Sequence, residues 1–244
     1  EGNGRKRLIE AKKDKKGSLV PVRGKSCSTH CMPMLGTKFP TYRAFAASIL
    51  PEIYTEQRLS DAEQFKATAF ESGALINDGK GNFTFQPLPR FAQAAPSYGV
   101  VATDIDGDGL VEVVAVQNMF TREPETGLWR GGIGMILEYG ADGAFRVEPA
   151  AETGFIVDGD AKGLTLCDLD GDNRPDFVVC QNNGKLLAWK NQSDSQPLFS
   201  VHLHGSPGNP DGIGARIIAH YTDGTIHAAE MTAGNGYLSQ SQPI

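Results

Sequence analysis

The sequence predicts a mainly β fold, an incomplete β-propeller with a helical segment before its blades and a small β module after them. An acidic, glycine-rich stretch with an apolar run behind it occurs twice with the same internal spacing, in TDIDGDGLVEVV and CDLDGDNRPDFVV. Turn-forming residues are abundant, with 29 glycines and 14 prolines in 244 residues. A strand-and-turn unit repeated about every 60 residues is typical of propeller blades and related β repeats.

Residues 1–40 are predicted to form a basic helix followed by an irregular linker rich in Gly, Pro and Ser. Positions 1–25 hold nine Lys or Arg against three acids, whereas the whole chain has a net charge of −6. A basic arm can bind nucleic acid. However, RKRLIEAKKDKK has no aromatic residue for base stacking and no recognition motif, so we expect a solvated segment and no nucleic-acid partner.

Residues 41–71 are predicted to be helical. Pro51 suits the first turn of a short helix, and Ser60 with Glu63 fits a capping box. Apolar residues recur there at helical spacing, namely Ala62, Phe65, Ala69 and Phe70.

Residues 72–204 are predicted to form the blades. SGALINDGKGNFTFQPL and GIGMILEYGADGAFRVEP each indicate a hairpin, and GVVATDIDGDGLVEVVAVQN and GLTLCDLDGDNRPDFVVCQNNGKLLAWKN each indicate strands around an acidic loop. These blades are too few to close a ring. We therefore expect an open edge that packs on another chain or on missing blades.

Residues 205–244 alternate short strands with turns such as Thr222-Asp223-Gly224, which predicts a small, truncated β module. Arg216 and Tyr237 in this module are candidates for exposed recognition residues, or else Arg216 pairs with a local acid and Tyr237 packs. The chain lacks an initiator Met, which we interpret as a fragment or mature form.

Each acidic loop is predicted to bind one divalent cation. Four carboxylates this close repel one another, and a hard cation that takes six to eight oxygen ligands offsets the repulsion. The predicted ligands of the first site are Asp104, Asp106, Asp108 and Glu112 with the carbonyl of Leu110. Those of the second site are Asp168, Asp170, Asp172 and Asp176 with the carbonyl of Arg174.

Calcium suits these loops better than magnesium, which usually retains water and seldom uses so many carboxylates. An EF-hand is excluded, because the twelfth positions are Ala115 and Val179 and the flanks are predicted to be strands. The alternative interpretation is a pair of acidic β-turns without metal.

Other motifs carry less information. Cys167 and Cys180 flank the second loop as either a disulfide or two free thiols, and Cys27 with Cys31 fits neither a zinc site nor a redox pair. The histidines lack metal-ligand spacing such as HExxH, and ligated carboxylates are not free for acid–base catalysis, so we expect no enzyme. The sequence has no apolar run of about 18 residues or more, the length needed to cross a bilayer, so we expect no transmembrane segment.

Both acidic loops resemble the calcium loops of FG-GAP/VCBS repeats, the blades of integrin-α-like β-propellers. The stretch GNPDGIGARI with AGNGYLSQSQP resembles the ASPIC/UnbV module. This resemblance implies an extracytoplasmic protein, secreted, periplasmic or at the cell surface. Glu112 departs from the repeat pattern, in which Asp is commoner, and its longer side chain is expected to weaken or reshape the first site.

These features together predict a secreted or cell-surface calcium-binding repeat protein. Adhesion, binding of a protein or glycan ligand, and scaffolding are the expected roles. The alternatives are a non-catalytic repeat part of a larger extracytoplasmic enzyme and a divalent-metal-dependent hydrolase, which would need an open coordination position.

Overall fold

The computed structural model describes residues 7–122, 127–193, 201–222, 224, 226–234 and 236–237. These residues belong to two compact units, one within Glu1–Ala69 and one within Phe70–Arg122 and Gly127–Ile244. Each unit has a hydrophobic core of its own. The protein is mainly β, and none of its described sheets closes on itself.

A β-hairpin occupies the basic stretch of the first unit, where the sequence predicted a helix. Its strands β1 (Ala11–Lys13) and β2 (Leu19–Pro21) pair antiparallel. Asp14 sets the turn between them, because its Oδ1 accepts the backbone N–H of Lys16 and of Ser18, each at 2.8 Å. The prediction was wrong because this local side-chain turn takes backbone donors that a helix would need.

Short helices follow the hairpin, and two of them lie where the sequence predicted an irregular linker. They are α1 (Lys25–Cys31), α2 (Met34–Lys38), α3 (Tyr42–Ala46), α4 (Leu50–Tyr54) and α5 (Glu56–Ser60). Their buried side chains form one cluster: Met32, Leu35, Phe39, Phe45, Leu50, Ile53 and Tyr54. Tertiary packing of this cluster stabilises helices that are too short to persist alone. Pro51 lies in the first turn of α4, as predicted.

No regular helix continues beyond Ser60, so the predicted helical segment is wrong for residues 61–71. Ser60 is the last residue of α5, and its hydroxyl donates to the carbonyl of Gln57 at 2.9 Å instead of capping a new helix. Phe65 and Phe70 are largely exposed. An apolar stripe that buries nothing supplies no tertiary stabilisation to a helix.

The second unit begins with the hairpin of β3 (Gly73–Asn77) and β4 (Phe83–Pro87), followed by a 3₁₀ helix at Arg90–Gln93. A four-stranded antiparallel sheet follows, with strands in chain order. Its strands are β5 (Ser97–Thr103), β6 (Glu112–Gln117), β7 (Met135–Tyr139) and β8 (Phe145–Val147).

After the short helix α6 (Ala150–Thr153), three described strands form the next antiparallel sheet. They are β9 (Ala161–Cys167), β10 (Asp176–Gln181) and β11 (Leu187–Trp189). The last hairpin pairs β12 (Arg216–His220) with β13 (Ile226–Glu230). The predicted turn between them falls partly on Asp223, which lies outside the described residues.

The sheets of β5–β8 and β9–β11 pack on each other through a shared core. Its buried residues are Val101, Val114, Val116, Phe155, Val157, Ala161, Leu164, Phe177 and Val179. Gly99 of β5 sits where a Cβ atom would lie 2.7 Å from Cβ of Leu164 and 2.9 Å from Cγ2 of Val116. The sheets approach so closely here that only glycine fits.

A buried ion pair lies at the end of these strands opposite to the acidic loops. Lys162 Nζ is 2.8 Å from Asp160 Oδ1, donates to the carbonyl of Asn118 at 2.5 Å and lies 3.5 Å from the centre of the Tyr98 ring. The lysine charge is therefore compensated on several sides, as a buried charge must be.

The cysteines near the second acidic loop do not form a disulfide. Cys167 pairs with Asp176 across the strands, and Cys180 pairs with Gly163. The two cysteines are thus separated along the ladder by several residue pairs, too far for an S–S bond. Both are free thiols, with Cys180 exposed.

Candidate functional site

The first acidic loop joins β5 to β6 and folds around Asp104. Asp104 Oδ1 accepts the N–H of Gly107 at 2.6 Å, and Oδ2 accepts the N–H of Gly109 at 3.0 Å. Glu112, the ninth residue of the loop, is buried, and its Oε2 accepts the N–H of Ile105 at 2.7 Å. Carboxylates at both ends of the loop therefore hold its backbone closed.

The second acidic loop joins β9 to β10 in the same way. Asp168 Oδ1 accepts the N–H of Gly171 at 2.8 Å, and Oδ2 accepts the N–H of Asn173 at 3.0 Å. Asp176, the ninth residue, is fully buried, and its Oδ2 accepts the N–H of Leu169 at 2.8 Å. Each of these donors and acceptors occupies the same position in its loop as its counterpart in the first.

The backbone conformation of the two loops is also the same. Gly107 and Gly171 have φ of 77° and 80°, and Gly109 has φ of 88° where Asn173 has 61°. Asparagine is one of the few residues with a side chain that adopt this left-handed region readily. The tight turns therefore explain why glycine or asparagine stands at these positions.

Leu110 and Arg174 occupy equivalent places and support the loops through their backbone amides. Leu110 donates its N–H to Asp108 Oδ1 at 2.7 Å, and Arg174 donates its N–H to Asp172 Oδ1 at 3.0 Å. Coordination of a cation by their carbonyls stays a prediction.

Three carboxylates converge in each loop. One oxygen each from Asp104, Asp106 and Asp108 lies within 4.8 Å of the others, and the same holds for Asp168, Asp170 and Asp176. Of the predicted ligands, Glu112 and Asp172 lie outside these groups. Asp172 Oδ2 is instead 3.9 Å from Arg174 and 3.8 Å from Lys190.

The charge of the first loop is poorly compensated. Burial raises the pKa of Glu112 to about 7, and the carboxylates of Asp106, Asp104 and Asp108 add to this rise. The hydrogen bond that Glu112 accepts from the N–H of Ile105 lowers the pKa and so opposes part of this rise. No described Lys or Arg lies within ion-pair distance of the three aspartates of this loop.

The second loop has a cationic neighbour. Lys190 Nζ forms an ion pair with Asp170 Oδ2, which raises the pKa of the lysine. The N–H groups of Asn173, Gly171 and Asp172 lower the pKa of Asp168. Asp168 of the second loop therefore stays charged more readily than Glu112 of the first.

Asn191 contacts both loops, and nothing in the sequence pointed to it. Its backbone N–H donates to Asp176 Oδ1 at 2.8 Å, and its Nδ2 donates to the carbonyl of Ile105 at 2.7 Å. Asn191 thereby joins the ninth carboxylate of the second loop to the backbone of the first. Because Phe177 pairs with Trp189 as Val113 pairs with Leu137, the equivalent position of the first repeat holds Tyr139, so the internal repetition does not reveal this role. Lys190 was missed for a related reason, because it reaches the loop only through the pairing of β10 with β11.

In the C-terminal region, Tyr237 packs edge-to-face on Tyr98 with ring centres 5.0 Å apart, although half of its surface stays exposed. Arg216 lies directly across the β12–β13 ladder from Glu230. Tyr237 therefore agrees with the packing alternative, whereas Arg216 is exposed and forms no ion pair with a described residue.

Comparison with known families identifies the C-terminal module. Residues 205–244 match the family ASPIC and UnbV. No curated protein and no solved structure gives a significant match to the chain. Among the described residues, no helix combines the length and apolarity needed to cross a bilayer.

Proposed function

We propose that each acidic loop binds one calcium ion and that the chain is a calcium-stabilised β-repeat protein. The observation that carries this proposal is the convergence of three carboxylates in both loops over one shared backbone hydrogen-bond scheme. A loop that brings three like charges within 4.8 Å is strained electrostatically unless a cation joins it.

Calcium suits these loops better than a smaller cation. It accepts six to eight oxygen ligands in flexible geometry, whereas magnesium demands a near-ideal octahedron and keeps its waters. The exposed aspartates leave room for water or carbonyl oxygens to complete the shell. Asp176, at the start of β10, already belongs to its group of three carboxylates, and Glu112 occupies the equivalent place at the start of β6.

The arrangement of the sheets supports FG-GAP/VCBS repeats that form part of a propeller. The four-stranded sheet β5–β8 has the strand number and chain order of one blade, with the acidic loop between its first two strands. The strands β9–β11 repeat the first three strands of that pattern, and β3–β4 repeats the last two.

We infer an extracytoplasmic role in adhesion, ligand binding or scaffolding, as a secreted or surface protein or as a non-catalytic part of a larger enzyme. The closed loops support a structural use of the metal, since catalysis requires an open coordination position beside a cleft. The ASPIC/UnbV module at 205–244 fits the same setting.

Isothermal titration calorimetry with calcium tests the proposal. We expect binding of two ions by the full chain, of one by Asp104→Asn and by Asp168→Asn, and of none by the double variant. Asp142→Asn is the matched control, because Asp142 is an exposed carboxylate of the same unit that pairs with Arg146 outside both loops. At a calcium concentration a hundred times Kd, folding should gain about 2.7 kcal/mol from each occupied site. A chain that binds no calcium, or binds it equally well without both aspartates, contradicts the proposal.

A further inference from the structure

The hairpin β3–β4 has the same geometry as the hairpin β7–β8. Leu75 pairs with Phe85 as Leu137 pairs with Val147, and Asn77 pairs with Phe83 as Tyr139 pairs with Phe145. The turns also agree, because Asp78 N donates to Asn82 O at 3.1 Å and Gly140 N donates to Ala144 O at 3.0 Å. The two hairpins are therefore equivalent parts of the repeat.

The surroundings of the two hairpins differ sharply. Leu137 is fully buried, in a cluster with Ala92, Ala115 and Met135. Its counterpart Leu75 is 66% exposed, and on the same face Phe83 is 60% and Phe85 is 40% exposed. Leu75, Phe83 and Phe85 thus form an apolar face, which we call the β3–β4 face.

The backbone edge of the hairpin differs in the same way. In the complete sheet, β6 pairs with β7 through Val113–Leu137 and Ala115–Met135. Within the second unit, β3 has only β4 as a described partner. Two backbone bonds, from Asp78 N to Asn82 O and from Leu88 N to Ser72 O, fix which residue pairs of this ladder are hydrogen-bonded. The N–H groups of Gly73 and Leu75 therefore point away from β4, toward the outer edge.

We propose that the outer edge of β3 and the β3–β4 face bind a β-strand of the β6 kind, supplied by a polypeptide with the same strand, acidic loop and strand unit. The equivalent hairpin β7–β8 shows this occupant in place, since β6 pairs with β7 and helps to bury Leu137. Strand addition supplies backbone hydrogen bonds, and the apolar face supplies the selectivity. This inference rests on the repeat architecture proposed above and not on calcium binding.

Amide hydrogen exchange on the full chain tests the inference, with a synthetic peptide of residues 97–117 of this sequence as the probe. The peptide carries the β5 and β6 sequences with the acidic loop between them. We expect it to slow exchange of the outward N–H of Leu75 by about tenfold or more. The N–H of Ile76 already bonds within the hairpin, so its exchange rate should change little and serves as an internal reference.

Leu75→Asp should abolish the protection, whereas Thr84→Asp, on the opposite face of the hairpin, should preserve it. The rate at Ile76 reports whether either variant has lost the hairpin itself. Unchanged exchange at Leu75 with the peptide overturns the proposal, as does equal protection in Leu75→Asp. Protection that rises with protein concentration without peptide also overturns it, because β6 of a folded second copy is already paired with β5 and β7 and another part of that copy must then cover the edge. The exchange experiment is run both in calcium and in chelator. Its result can therefore be interpreted even if calorimetry shows that the chain binds no calcium.

Discussion

The first and second acidic loops bond their backbones alike, yet they handle charge differently. In the first loop, buried Glu112 accepts one described N–H, and no described cation pairs with the neighbouring aspartates. In the second, Asp176 accepts two N–H groups and Lys190 pairs with Asp170. The repeat therefore specifies the backbone of the loop, while the compensation of charge is local to each copy.

The ninth carboxylate should matter more in the second loop. Asp176→Ala leaves the part-buried N–H groups of Leu169 and Asn191 without their carboxylate acceptor and should cost about 2–4 kcal/mol of unfolding free energy. Glu112→Ala leaves only the N–H of Ile105 without its acceptor and should cost about 1–2 kcal/mol of unfolding free energy. Urea unfolding in chelator measures both losses, and exposed Asp106→Ala is the control. Equal losses of unfolding free energy for Asp176→Ala and Glu112→Ala would show that the ninth carboxylate matters equally in the two loops.

The loops should also respond differently to pH in metal-free protein. Burial raises the pKa of Glu112 from 4.5 to about 7, so its contribution to stability is present below pH 4.5 and is lost as pH rises to about 7. The slope from one such group stays below about 1.4 kcal/mol per pH unit. The pKa of Asp168 is lowered, so its contribution is lost as pH falls below its ordinary value of 3.8.

Thermal unfolding from about pH 2 to about pH 8 in chelator measures this difference. Glu112→Gln should flatten the curve between pH 4.5 and 7 and leave the acidic side unchanged. A wild-type curve that is already flat in that interval would show that Glu112 titrates normally in the folded protein.

Asn191→Ala tests whether the loops depend on each other. The variant keeps the backbone N–H that reaches Asp176. It loses the side-chain bond to the carbonyl of Ile105 and the bond that Asn191 Oδ1 accepts from the N–H of Ser193, at a cost of about 1–2 kcal/mol. Hydrogen exchange should then speed up in the first loop, although the substituted residue follows β11 of the second sheet. Asn82→Ala, in the β3–β4 turn, is the control and should leave the first loop unchanged.

The smallest effect is expected at Lys190. Calcium must displace this lysine from Asp170, so Lys190→Met should tighten the second site by up to about fivefold, the range of an exposed ion pair. Calorimetry should show the first site unaffected. Weaker binding at the second site would mean that the lysine helps to hold the loop open for the ion.

The sequence predicted the β region well because its signals are local and repeated. Apolar runs on both sides of the acidic stretches predicted β5, β6, β9 and β10. The equivalence of the two acidic stretches extends to individual hydrogen bonds.

The first unit was predicted less well because its structure depends on tertiary contacts. Asp14 turns the basic stretch into a hairpin, and the cluster around Leu35 and Ile53 makes helices of the expected linker. The roles of Lys190 and Asn191 were out of reach for a similar reason. Both residues follow β11 and lie near the acidic loops only because β11 pairs with β10, a contact that the spacing of residues along the sequence does not reveal.

The bond between Asn191 and Ile105 also bears on the order in which the protein folds. Strands that are neighbours in each described sheet follow one another along the chain, so most pairing is short-range and fast. This bond instead closes a separation of 86 residues, which costs more chain entropy. During synthesis, the first acidic loop can form from its own carboxylates but gains its restraint at Ile105 only after residue 191 has emerged. A ribosome-bound chain that stops short of that point would carry a folded first loop that is still loose.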